Sequence, residues 1–239
     1  DLDAGALAVY GRNCRPVRSL RADVGSLVAF HVTGWGAGAR FARPPEPLHR
    51  DLLAIQGQVD LVLAGPPCEG HSNLNNRTRR SDPRNLLYLD AVAAGVALGA
   101  TAIVVENVPE ILNDRTQVAD TAMALLTASG YFVSRSVLAA DSLGWPQTRR
   151  RLFLVASRSA PPDLQDVASA LERGPETVRW AIEDLPAGPP DPVMDMPASL
   201  SAENRRRIDY LFDENLYDLP DHMRPACRRN GHTYPSVYG

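Results

Sequence analysis

Apolar residues along the chain fall into two rhythms, short and mostly apolar runs and longer stretches with helical spacing. The runs are Val59 to Leu63, Ala102 to Val105, Tyr131 to Leu138 and Leu152 to Ala156. Each is short enough for a strand, and the first reads as a buried strand of a parallel sheet, halted by Pro66 and Pro67. Helical spacing occupies Leu86 to Leu98 and Thr116 to Ser129, the latter stopped by Gly130. The last two strands form a hairpin-like return around Gly144-Trp145-Pro146. Near the start, Asp1 to Asn13 reads as a strand end feeding a helix, with Asp3 as a candidate N-cap. Strand and helix alternate throughout, which predicts an α/β class with a doubly wound sheet.

Between these elements lie polar segments. Gly34 to Gly38 reads as a flexible insertion, within a surface excursion over residues 33–50. Asn73 to Asn85 is arginine-rich and without period, hence a loop. After Ser157 the composition turns proline-rich, and Val178 to Leu185 reads as a short strand and helix closing a domain over residues 1–186. A second region, residues 187–239, contains a helix from Ser201 to Phe212 with Ser201 as N-cap.

Ligands of open α/β sheets bind outside the carboxyl ends of the strands. Several chemically able residues fall there. Cys68 follows the first run, and Glu106 and Asn107 end the second. Gln147, Arg149 and Arg151 lead into the last strand, and the two arginines share a face when extended. Alone, Cys68 reads as a small buried hydrophobe. A carboxylate and two guanidinium groups brought to the same rim make it a candidate nucleophile instead.

Composition narrows the setting. With 239 residues and 44% hydrophobic content, a sizeable core can form. No apolar run reaches the roughly 18 residues of a membrane span, and no secretory signal opens the sequence. Cys14, Cys68 and Cys227 are odd in number and far apart, which suits a reducing cytoplasm without disulfides. The net charge of −3 argues against an indiscriminate nucleic-acid binder. All 25 basic residues are arginine, and some of them cluster, at Arg77 to Arg84, Arg149 to Arg151, Arg205 to Arg207 and Arg224 to Arg229. These are either separate solvated faces or one patch. His222, Cys227 and His232 match no common zinc module and read as ordinary polar residues, so no metal is expected.

Taken in order, four segments resemble the cytosine-C5 DNA methyltransferases: Pro66-Pro67-Cys68, Asp82-Pro83-Arg84-Asn85-Leu86-Leu87-Tyr88, Glu106-Asn107-Val108 and Gln147-Thr148-Arg149-Arg150-Arg151. The resemblance covers roughly residues 1 to 185 well. It implies a Rossmann-like methyltransferase sheet followed by a small, irregular target-recognition region. It implies S-adenosylmethionine as cofactor, held by Asp1, Leu2, Asp23, Val24, Pro67 and Leu87, with Asp1 on the ribose and Asp23 on the adenine amino group. It implies double-stranded DNA as partner, with Pro67, Ser72, Asn107 and Gln147 against the substrate. Cys68, Glu106, Arg149 and Arg151 become the catalytic set. The setting implied is restriction–modification in a bacterial or phage cytoplasm.

There are departures. The family's Phe-x-Gly-x-Gly loop, which follows its first strand, has no counterpart before Asp1. The family's closing C-terminal helix is also missing after Gly239. The chain is therefore expected to be truncated at both ends, to lack the first strand, to bind S-adenosylmethionine weakly alone, and to need its missing segments or a complementing chain. Glu69 stands where the family usually has glutamine, which puts that loop contact in doubt. Three other readings stay open: a tRNA cytosine methyltransferase, a catalytically silent fragment, and a plain nucleotide-binding domain.

Overall fold

Asp3 opens the first helix, α1 (Ala4–Cys14), by accepting the Ala6 N–H at 2.6 Å, the cap the sequence predicts. No residue of α1 is buried. The computed structural model describes residues 1–68, 70–71, 82–183, 199–226 and 229. Within them the chain divides into two units, Asp1–Asp184 and Leu185–Gly239.

Downstream of α1 the structure corrects one sequence expectation. The stretch expected to be a flexible surface excursion, residues 33–50, supplies two short strands that pair back onto the segment at and just before its start. β1 (Val28–Ala29), β2 (Val32–Thr33), β3 (Arg40–Phe41) and β4 (Glu46–Pro47) pair as β1 with β4 and β2 with β3. Phe30 and Phe41 meet edge to face at 6.0 Å, and Val28 and Ala39 are buried. Gly36 makes the packing possible. Its φ is +61°, its N–H donates to Thr121 Oγ1 at 2.8 Å, and a Cβ there would lie 2.4 Å from Gln117 Oε1. Composition signalled a loop, but Gly36 is there for close approach to a helix.

A short helix, α2 (Arg50–Leu53), leads to β5 (Leu61–Ala64), followed by α3 (Leu87–Ala97), β6 (Ala102–Asn107), α4 (Val118–Ala128), β7 (Phe132–Ala139) and β8 (Arg150–Ser157). These match the predicted runs within one to two residues at most ends. The four strands form one mixed sheet in the order β5-β6-β8-β7. β5 and β6 are parallel; β8 is antiparallel to both β6 and β7. The architecture is Rossmann-like α/β, with its parallel part limited to β5 and β6.

Alternation along β6 explains the core. Ile103, Val105 and Asn107 point to one face and are buried, while Glu106 stays part-exposed. Leu152, Leu154 and Ala156 of β8 continue that face. It packs with Tyr88, Leu89 and Val92 of α3 and Ala122, Leu125 and Leu126 of α4. β5 departs from expectation. Among the described residues it is an edge strand, not a buried one, with Leu61 49% and Leu63 71% exposed. A mostly apolar run does not reveal whether both faces and both edges are covered.

Two further expectations change. Asp82 to Asn85 is not loop: Pro83–Leu86 forms a 3₁₀ turn, and the Asp82 side chain caps it by accepting the Arg84 N–H at 2.9 Å. The segment after Thr177 is a five-residue helix; α5 (Leu164–Ala170) precedes it, and it is labelled α6 (Val178–Ile182). No strand accompanies α6 among the described residues. In the second unit, α7 (Ala202–Asp213) begins at Ser201, whose hydroxyl accepts the Asn204 N–H at 3.2 Å. Arg207 is buried there, donating to the Met223 carbonyl at 2.8 Å and pairing with Glu203. Arg224 pairs with Asp218. These two arginines hold the unit together and are not surface charge.

Candidate active site

β5 and β6 run parallel, so both carboxyl ends reach the same rim. From β5 the chain turns through Gly65, Pro66 and Pro67 to Cys68, where two consecutive prolines fix φ and bar the strand from continuing. From β6 come Glu106, facing the open side, and Asn107, facing the core. Asn107 is the brace between them. Its Nδ2 donates to the Pro66 carbonyl at 3.3 Å, and its Oδ1 accepts the Val108 N–H at 2.8 Å. A buried side chain with both ends engaged fixes one strand end against the other.

β8 enters the rim from the opposite direction, which carries Arg149 and Arg151 to Glu106. The Arg151 Nε lies 2.8 Å from Glu106 Oε1, an ion pair. Arg149 Nη2 lies 3.8 Å from the same oxygen. All three groups stay partly exposed, so water screens the pair and its role is orientation more than stability. Pro67, Cys68, Glu106, Arg149 and Arg151 line one cavity of about 330 Å³. The sequence expectation that Cys68, Glu106 and Arg151 converge on one pocket describes this geometry.

The six residues expected around the cofactor also meet. Asp1, Leu2, Asp23, Val24, Pro67 and Leu87 line a second cavity, of about 340 Å³, whose walls include Gly65 and Pro66. The two cavities share the turn before Cys68. Asp23 accepts the Gly25 N–H at 3.0 Å through Oδ1, and Asp1 Oδ1 accepts the Asp3 N–H at 2.9 Å. Asp90 stands behind Asp23; burial, and then the Asp23 carboxylate, push its pKa up. A largely apolar lining with two aspartates suits a nucleoside, with its flat base and its hydroxyl and amino donors.

Gln147 lies elsewhere. It belongs to an adjoining cavity with Trp145 and Phe153, which shares Glu106, Arg149 and Arg151 but not Cys68. Ser72, Glu69, Arg77, Arg79, Arg80, Cys227 and His232 fall outside the described residues. Arg84 is engaged by Asp82 through Nε at 3.0 Å and Nη2 at 2.9 Å. Among the described residues no cluster of three metal-ligating side chains occurs, and no helix is long and apolar enough to cross a membrane.

Sequence reading missed the floor beneath the Cys68 turn. His71 and Asp114 are buried there, Nδ1 to Oδ2 at 3.5 Å. The Asn85 amide donates to Asp114 Oδ2 at 2.7 Å. A lone histidine in a polar stretch and an aspartate before a helix carry no pattern that joins them.

Residues 48–222 match the family model for C-5 cytosine-specific DNA methylases. The chain is 36% identical over 240 residues to the Type II methyltransferase M1.BsuMI of Bacillus subtilis, spanning all of this chain and 54% of that protein. It is 33% identical over 160 residues to the Type II methyltransferase M.DdeI of Desulfomicrobium norvegicum, covering 62% of this chain and 38% of the relative. The chain thus spans about half the length, or less, of these curated relatives. Among solved structures, an Escherichia coli protein described as a putative DNA modification methyltransferase encoded within a prophage superposes with a TM-score of 0.56. The superposition has 21% identity and covers 78% of this chain and 47% of that one, a likeness of fold.

Proposed function

We propose, for a chain that belongs to the C-5 cytosine-specific DNA methylase family, that it carries the catalytic part of a DNA cytosine-5 methyltransferase acting through a covalent Cys68 adduct. The observation that carries this reading is the cavity shared by Cys68, Glu106, Arg149 and Arg151, set against a second cavity across the Pro66-Pro67 turn.

Carbon 5 of cytosine is a poor nucleophile. Addition of the Cys68 thiolate at C6 places an electron pair on C5, which then takes the methyl group. Loss of the C5 proton and expulsion of Cys68 restore the ring. Glu106 meets N3 and the exocyclic amine and stabilises the charge that develops as the thiolate adds. Arg151 holds Glu106 in place through its 2.8 Å contact and reaches the base carbonyl. Arg149 sits on the outer side, where a backbone phosphate would lie. The Pro67 carbonyl faces the exocyclic amine, and Asn107 keeps the turn at its height above β6. None of these groups reaches a base inside a duplex, so the target is flipped out.

Asp1, Leu2, Asp23, Val24 and Leu87 would hold S-adenosylmethionine, which supplies the methyl group when bound. The second unit, Leu185–Gly239, would begin the target-recognition region. Double-stranded DNA is the partner that this family's description favours over tRNA.

The test is trapping. With 5-fluorocytosine at the target, C5 has no proton to lose, so Cys68 stays attached to the base after methylation. The full-length protein should give a protein–DNA band on a denaturing gel, and Cys68→Ser should give none while keeping DNA binding. A band that persists in Cys68→Ser, or a substrate preference for tRNA over duplex DNA, would defeat the reading.

A further inference from the structure

His71 is the group at this site that the chemistry above does not use, and it is costly to keep. It is 1% exposed, and neither ring nitrogen makes a hydrogen bond among the described residues. Its nearest charged neighbour is Asp114, at 3.5 Å from Nδ1. A buried polar ring without a hydrogen bond costs stability, and native structures keep few such groups without a reason.

The reason is not to satisfy Asp114. That carboxylate already accepts from the Asn85 amide at 2.7 Å, from the Thr116 N–H at 2.8 Å and from the Thr116 hydroxyl. A phenyl ring at position 71 would fill the same space and leave Asp114 with three donors. On stability alone, an apolar ring would serve as well or better.

Placement supplies the reason. The His71 N–H donates to the Cys68 carbonyl at 2.9 Å, so ring and nucleophile sit at the two ends of one turn. Next to the ring, Gly70 presses on the floor so closely that a Cβ would come 2.0 Å from Asn85 Oδ1. The turn is thus held on one side by Asn107 and on the other by this floor. The floor itself is fixed by Asp114, which joins the segment before α4 to the turn before α3 through Asn85. Electrostatics agree: burial holds the ring below the usual histidine range, while Asp114 and Asp82 pull it upward, and Asp82 itself is engaged by Arg84.

We infer that His71 is a positioning residue, whose imidazole, set against the Asp114 carboxylate, fixes the height and direction of the Cys68 sulfur. The inference rests on the reading of Cys68 as nucleophile. It assigns no contact between His71 and substrate.

The experiment compares wild type, His71→Phe and His71→Asn in the full-length protein. Asparagine returns one donor near the place of Nδ1; phenylalanine returns shape alone. Two readouts are taken: kcat and KM for duplex DNA, and the rate of iodoacetamide alkylation of Cys68 against Cys14 in the same molecule. His71→Phe should keep its Tm near wild type and its KM for DNA. Its kcat should fall about 10- to 100-fold, as expected when a reacting group is displaced by a fraction of an ångström to an ångström. Its Cys68 should alkylate roughly threefold faster or more, because the turn opens more readily. His71→Asn should recover most of both. An unchanged Cys68 alkylation rate in His71→Phe overturns the inference whatever methyl transfer does, and so does an asparagine variant as impaired as phenylalanine. If wild type fails to methylate cytosine, the functional reading falls, while the alkylation contrast still decides the role of His71.

Discussion

β5 and β6 look alike in the sequence and live differently in the fold. Each is an apolar run that ends in site residues, and they lie side by side in parallel. β6 has a strand on either edge and buries Ile103 and Val105 completely. Among the described residues β5 has a partner on one edge, and Leu61 and Leu63 are exposed. The comparison shows how the rim divides its work. β6 is a fixed rail that presents Glu106 and Asn107 in a constant place. β5 is held weakly by its own packing, so the Cys68 turn it delivers takes its position from cross-links to other elements.

The largest expected effect tests the rail. Ile103→Ala removes atoms from a fully buried position between α3 and β8 and should cost about 2–5 kcal/mol in chemical denaturation. A loss below about 1 kcal/mol would mean that β6 is no more constrained than β5. Next comes the link between the strands. Asn107→Ala leaves the Pro66 carbonyl and the Val108 N–H without their partner and should cost about 1–3 kcal/mol. Methyl transfer should fall with it, because the turn loses its tie to β6; wild-type turnover in this variant would separate the brace from catalysis.

A smaller effect belongs to pH. His71 is held below its ordinary value of 6.5, so its native ring stays neutral where the unfolded chain takes up a proton. Unfolding then binds protons, and stability falls as pH drops below about 6.5, levelling out once the native value is passed. In His71→Phe that part of the stability–pH curve should be flatter; identical curves would place the ring in a water-like setting. The smallest effect is on β5 itself. Leu63→Ala at a 71% exposed position should change stability by no more than about 0.5 kcal/mol, against the several expected for Ile103. A large loss there would mean that Leu63 is covered in solution.

The sequence was most informative where chemistry and chain geometry coincide. Cys68, Glu106 and Arg151 were legible because each ends or begins a strand, and strand ends of such sheets gather at one rim. Asp3 and Ser201 were legible as caps because capping is local. What could not be read depends on neighbours far along the chain. Gly36 looks like any loop glycine until Thr121 is placed beside it. The exposure of Leu63 depends on whether another strand lies alongside. Arg207 looks like surface charge until the Met223 carbonyl, well along the chain, is seen accepting from it in a buried setting. His71 and Asp114 have no sequence pattern in common, because a buried pair is made by tertiary contact.

The strand order also has a consequence for how the chain acquires its shape. β7 and β8 are joined by the nearby segment 140–149 and register along their whole length, from Phe132 opposite Ser157 to Ala139 opposite Arg150. A hairpin of that kind closes a short loop and can form early. β5 and β6 meet only after the entire stretch from residue 65 to 101, the Cys68 turn and α3 included, has found its place. The half of the rim that carries Arg149 and Arg151 therefore comes from local contacts, and the half that carries the cysteine from distant ones. In a refolding time course, protection of the β7–β8 amides from exchange should precede protection of the β5–β6 amides.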